Sequence, residues 1–154
     1  MRPAIRSSVL AVCALVLAAG ASAELAPWDQ AKVTELAKQL AATAADLSDS
    51  FRKMPAPTKG SSQQQSHFLL TRQLRDIRRS ADALSSALQQ GGDRKATLAR
   101  YQSLMQRVRT ARDHARRITA GTEVTQKADA ARDILNQMAP FYDANAAPME
   151  PVRR

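Results

Sequence analysis

The stretch LTRQLRDIRRSADALSSALQQGGDRKATLARYQSLMQRVRTARDHARRI, from Leu70 to Ile118, decides the fold. Leu70, Leu74, Ile77, Ala81, Leu84 and Leu88 recur at gaps of three and four, the spacing that lines one face of an α-helix over an arc of about 100°. Gly91-Gly92 then interrupts the pattern, and Asp93 is placed to cap a new helix. A second stripe follows at Tyr101, Leu104, Val108, Ala111, Ala115 and Ile118, flanked by Leu98 and Met105. Two amphipathic helices joined by a turn this short form a hairpin.

The same period extends outward on both sides. Towards the N-terminus, Val33, Leu36, Leu40, Ala44, Leu47, Phe51 and Met54 form a stripe. It ends at Met54-Pro-Ala-Pro-Thr-Lys-Gly60, because proline lacks the N–H a helix needs and disfavours helix in the residue before it. Ser61 and Ser62, with Gln64 and Gln65 three residues on, read as a capping box for the next helix. Towards the C-terminus, Gly121-Thr122 repeats the stop-and-cap arrangement, and Val124, Ala128, Ala131, Leu135 and Met138 form the fourth stripe. Pro140 is expected to end or kink that helix before Phe141 and Tyr142. Residues 143–154 have no period and read as a flexible tail. No segment alternates with period two, so strands are not expected. The pattern predicts an all-α, antiparallel up-down-up-down four-helix bundle over 24–142, with helices about 28–54, 62–90, 94–120 and 122–139. Short loops bring Trp28 near Phe141 and Tyr142 beside the Gly91-Gly92 turn, as an aromatic plug.

The first 23 residues are a different kind of segment. Arg2 and Arg6 precede an unbroken apolar run from Val9 to Ala19, and Ala-Ser-Ala at 21–23 supplies small residues before a cut. This is the pattern of a Sec-type signal peptide cleaved after Ala23, and the run is too short for a membrane span, which takes roughly 20 residues. Cys13 lies inside the run behind Val12, not behind the small residue a lipoprotein anchor requires. An Ala- and Arg-rich chain behind such a signal reads as a periplasmic protein, with no transmembrane segment in the mature chain.

Composition excludes several classes. The 154 residues are 44% hydrophobic and 24% charged, too apolar for a disordered chain and too charged for a membrane protein. With Cys13 as the one cysteine, no disulfide scaffold, Cys-based zinc cluster or C-x-x-C-H haem attachment can form. No glycine-rich phosphate loop is present. No Ser-His-Asp order or paired core carboxylates stand out, and Asp46, Asp49, Asp129 and Asp133 read as solvated helix-face residues, so an enzyme is not expected.

Charge is segregated. The formal net charge is +9. Residues 61–121 hold twelve basic residues against four aspartates, whereas residues 24–54 and 122–154 each hold five acids and four bases. The positive charge of the mature chain thus belongs to the middle hairpin. Arg72, Arg75 and Arg79 share one helix face at i, i+3 and i+7, and Arg109, Arg112 and Arg116 repeat the spacing on the next helix at nearly the same height. Like charges at these spacings repel by a few tenths of a kcal/mol, so the arrangement does not serve stability. Arginine is also a good helix former, and a plain solvated face has the same composition. The functional expectation is a binding surface for an anionic partner: lipopolysaccharide phosphates, anionic lipid headgroups, a polyanion or an acidic protein. Eleven of the twelve bases are arginine, which suits bidentate recognition of phosphate or carboxylate. Nucleic acid is disfavoured, because only Tyr101 interleaves an aromatic with these arginines.

His67 continues the helix 2 stripe and His114 flanks the helix 3 stripe at a comparable height. Two imidazoles across a bundle can hold a haem or help bind a metal, which makes a haem- or metal-binding electron-transfer bundle the alternative. No Glu-x-x-His pair accompanies them, and further zinc ligands are missing. No cofactor is therefore expected, and Met54, Met105 and Met138 read as core filler. In architecture the chain resembles cytochrome b562, a family that takes a Met ligand from its first helix and a His from its last. Here helix 1 offers only Met54 at its far end and helix 4 has no histidine, so the ligands do not carry over. Leu70-Thr71-Arg72-Gln73 is similar to the L-T-x-x-Q mark of small basic periplasmic chaperones, with the Gln one place early and no second copy. A chaperone-like protein is the third expectation, and the chain is assigned to no family.

Overall fold

A computed structural model describes residues 24–55, 57, 62–118 and 120–151. The signal segment 1–23 with Cys13, and the side chains of Ser61 and Ser62 proposed as a capping box, lie outside the described residues. Among the described residues, all regular structure is helical and no strand occurs: α1 Gln30–Lys53, α2 Ser62–Gln89, α3 Arg94–Ala115 and α4 Thr122–Tyr142. This is the composition of a four-helix bundle.

Local chemistry sets most helix ends. The Asp29 carboxylate accepts the Lys32 N–H at 2.9 Å, and the Asp93 carboxylate accepts the Ala96 N–H at 2.8 Å, so α1 and α3 start on side-chain caps. At the end of α2 the Gly92 N–H reaches back to the Ala87 carbonyl at 2.9 Å and the Gly91 N–H to the Leu88 carbonyl at 3.1 Å. That double closure requires a left-handed residue between helix and turn, and Gly91 supplies it at φ +85°. Gly92 is needed for space: a Cβ there would lie 2.8 Å from the Ala87 carbonyl oxygen.

Two ends differ from the periodicity. α3 stops at Ala115 rather than near 120, because its last turn tightens into i→i+3 bonds, Arg117 N–H to His114 and Ile118 N–H to Ala115. α4 runs through Pro140 to Tyr142. A proline so near the end costs a single intrahelical bond, and its own carbonyl is taken by the Ala26 N–H at 2.9 Å. The cap of α4 is Gly121 and not Thr122, which is the first helical residue.

α1 packs against α2 and α4, and α2 against α3, while α3 and α4 touch only lightly. Val33, Leu40, Phe51, Leu84, Leu104 and Met138 are essentially sealed from solvent at the centre. At one end Gln30 donates to the Leu88 carbonyl at 3.0 Å and to the Gly92 carbonyl at 3.3 Å, while accepting from the Trp28 indole at 2.9 Å. Trp28 meets Tyr142 edge-on at 5.5 Å, and Tyr142 stacks on Tyr101 at 4.2 Å. The expected approach of Trp28 to Tyr142 is present, with Tyr101 added to it, whereas the ring of Phe141 faces the Lys32 ammonium at 5.6 Å. At the other end Lys127 donates to the Ser50 hydroxyl at 2.6 Å, which donates to the Glu123 carboxylate at 2.8 Å. These two bonds hold α4's first turn against α1.

Candidate functional site

The stripe residues expected in the core are not equally buried. Val108, Ala115 and Ile118 from the α3 side and Ala131 from α4 remain half-buried, and Ala128 is exposed. All five border the α3–α4 seam, where three alanines with Val108 and Ile118 leave a space above the buried larger residues of α1 and α2. The result is an apolar cleft of about 190 Å³. Its floor is Leu40, Leu47, Phe51, Leu70, Leu74 and Ile77, and its far wall includes Leu104 and Leu135. Charged side chains stand at its rim: Arg112 and Arg116 from α3, Asp129 and Arg132 from α4, and Glu150 from the C-terminal segment. Arg132 is committed to Asp129 at 2.6 Å and to Asp133 at 2.8 Å.

The C-terminal segment lies along this seam. The Met149 N–H donates to the Asn136 side-chain oxygen at 2.8 Å, and the Asn136 amide donates to the Met149 carbonyl at 3.3 Å. One residue on, the Glu150 carbonyl accepts from Arg112 at 2.7 Å. Between this segment and α3 a wider groove of about 990 Å³ is lined by Leu98, Tyr101, Met105, Arg109 and Arg112.

The six arginines singled out by spacing are all on the surface side of the hairpin, but they face two directions. Arg72, Arg75 and Arg79 are exposed, and at about 100° per residue they point away from the buried Leu70–Leu74–Ile77 face of α2. Arg109 and Arg116 are exposed and Arg112 is half-buried, and all three border the α3–α4 seam through the cleft or the groove. None of the six has a carboxylate partner among the described residues. The hairpin arginines that do have one are Arg78, 3.8 Å from Asp49, and Arg107, 3.8 Å from Asp76. Arg94 is used by the fold: it donates to the Ala26 carbonyl and lies 5.5 Å from the Trp28 ring centre. Sequence reading missed Phe68, which is 68% exposed. Its position relative to Arg72, Arg75 and Arg79, at i, i+4, i+7 and i+11, puts it on the same outer stripe, a signal that was available.

The histidines are not brought into ring contact. His67 stacks on Phe51 at 4.7 Å with its Nε2 buried and unpartnered, and His114 is half-buried on the last turn of α3. Among the described residues no three His, Cys, Asp or Glu side chains gather in a metal-binding group. Tyr101, Tyr142 and Glu123 have shifted pKa values. Burial pushes the Tyr101 hydroxyl up to about 12. Burial also raises Tyr142, against a hydrogen bond with Thr97. Hydrogen bonds from Lys127 and Ser50 hold the Glu123 carboxyl below its ordinary value.

Among the described residues no helix is long and apolar enough to cross a membrane. Compared with protein-family models, curated proteins and solved structures, the chain matches none of them.

Proposed function

We propose that the protein is an exported, periplasmic, non-enzymatic bundle of antiparallel up-down-up-down topology that binds an anionic partner through the arginines of α2 and α3. The observation that carries this reading is the sorting of the hairpin's cations. Arg78 and Arg107 have aspartate partners, whereas Arg72, Arg75, Arg79, Arg109, Arg112 and Arg116 have none among the described residues. A helix that lines up unpaired like charges loses a little stability by it, and recovers it when an anion docks. Among the anionic partners, an envelope lipid surface is favoured over a polyanion or an acidic protein by Phe68. An exposed aromatic one turn from Arg72 is suited to insert between headgroups while the arginines engage phosphate.

The test is co-sedimentation of the mature protein with vesicles of phosphatidylglycerol and phosphatidylcholine, against vesicles of phosphatidylcholine alone. Binding is expected only to the anionic vesicles and should weaken as salt rises. With about 1 kcal/mol contributed by each arginine near the surface, the triple change Arg72→Gln, Arg75→Gln, Arg79→Gln should reduce affinity on the order of 100-fold. Changing all six should abolish binding without altering the helical circular dichroism. Equal binding to both vesicle types, or full retention after all six changes, overturns the proposal.

A further inference from the structure

We infer that the cleft along the α3–α4 seam is a binding site for a single-chain anionic amphiphile, a medium-chain fatty carboxylate. It rests on the proposal above in giving Arg112 and Arg116 to an anion, and adds the apolar half of the ligand. Three observations converge. First, the cleft is apolar along its length and lies on the one neighbouring-helix seam where packing is slight, so a chain can enter by parting α3 and α4 without disrupting a packed interface. Second, its volume of about 190 Å³ exceeds the roughly 150 Å³ of a dry engineered cavity that takes up benzene. That is room for about eight carbons with the first of them in the mouth.

Third, the mouth has the charge that a carboxylate needs. Arg112 and Arg116 are one turn apart at the rim and have no carboxylate partner among the described residues. Of the acids nearby, Asp129 is held by Arg132 at 2.6 Å, and Glu150 meets Arg112 through its backbone carbonyl. Arg112 spends one donor there, and a guanidinium carries five. A carboxylate between the two guanidinium groups gains charge-assisted hydrogen bonds with bidentate geometry, while its alkyl chain lies against Leu47, Leu70 and Leu74. The Asn136–Met149 bonds place the C-terminal segment beside the mouth, which Glu150 and Pro151 help to line.

Isothermal titration of the full mature protein with sodium octanoate tests this, with butyrate, octan-1-ol and phosphatidylglycerol vesicles as parallel arms. Saturable one-to-one binding of octanoate is expected, with butyrate and octanol each weaker by on the order of 10-fold or more. Arg112→Gln with Arg116→Gln should bring octanoate down to the octanol level. Ala115→Leu with Ala128→Leu should fill the cleft and remove octanoate binding while vesicle binding persists. Ala131→Leu alone is an independent plug if the double variant melts early. No saturable octanoate binding, equal binding of octanol, or undiminished binding in a folded plugged variant overturns the inference. If octanoate fails while vesicle binding stands, the cleft inference alone falls. If vesicle binding fails while octanoate binds, the outer arginine surface is what falls.

Discussion

Thr97 is a polar side chain with 0% exposure in the middle of an aromatic cluster. Its hydroxyl bonds the Asp93 carbonyl at 2.7 Å and the Tyr142 hydroxyl at 2.9 Å. Replacing it with valine keeps the shape and strands the Tyr142 hydroxyl in an apolar site. Thr97→Val should therefore cost about 1–2 kcal/mol, read as a lower urea midpoint, and Thr97→Val with Tyr142→Phe should recover part of it. The neighbouring Tyr101 gives a pH signature. Its folded value of about 12 lies above the ordinary 10.0, and Tyr142 is shifted the same way. A native state that keeps its protons longer than the unfolded chain loses stability as pH rises. Stability is thus whole below pH 10 and falls between about 10 and 12, by no more than about 3 kcal/mol for Tyr101. Urea unfolding at pH 8, 10 and 11.5 should show that fall, and Tyr101→Phe should flatten it. Trp28, Tyr142, Asp93 and Gly91 were legible as residues of this end because aromatic, cap and turn chemistry announce themselves. Thr97 was not, since a threonine within an apolar stripe looks like a flank until a partner from another helix is seen beside it.

At the scale of elements, the four helices were readable because each buries one face, and a 3.6-residue period survives any change of partner. Their ends were less readable because tertiary contacts decide them. Pro140 marks a stop on local grounds, yet α4 continues to Tyr142 because the last turn is pinned by Ala26 and by the tyrosine stack. α3 closes early because its last turn tightens into i→i+3 bonds at Arg117 and Ile118. The C-terminal segment has no period, and its position is fixed by side chains of two helices: Asn136, matched to both polar groups of Met149, and Arg112, which donates to the Glu150 carbonyl. Asn136→Ala should remove amide-exchange protection at Met149 and open residues 144–150 to limited proteolysis. The melting temperature should change little, because no core residue is touched. A fall in melting temperature as large as that expected for a core truncation, about 2–5 kcal/mol in stability, would instead make the segment part of the core.

At the scale of the whole molecule, three seams are packed and one is slack, and the candidate site lies on the slack one. Residue type and spacing identified the arginines. They could not tell that Arg72, Arg75 and Arg79 face outward while Arg109, Arg112 and Arg116 border the seam, because spacing assigns a face within a helix and says nothing of which neighbour stands opposite. The cleft was invisible for a related reason. Ala115, Ala128 and Ala131 stand in the stripes as core positions, and whether small residues draw helices together or leave room between them depends on backbone separation. The aromatic plug has a spectroscopic corollary. Trp28 is the sole tryptophan of the chain, and it is set against Tyr142 and Arg94 at the end where α1 begins, away from the cleft's floor at Leu47, Phe51 and Leu70. Its emission is a built-in gauge of one pole of the molecule. A signal that stays constant while the opposite pole fills would separate occupancy of the cleft from loosening of the bundle.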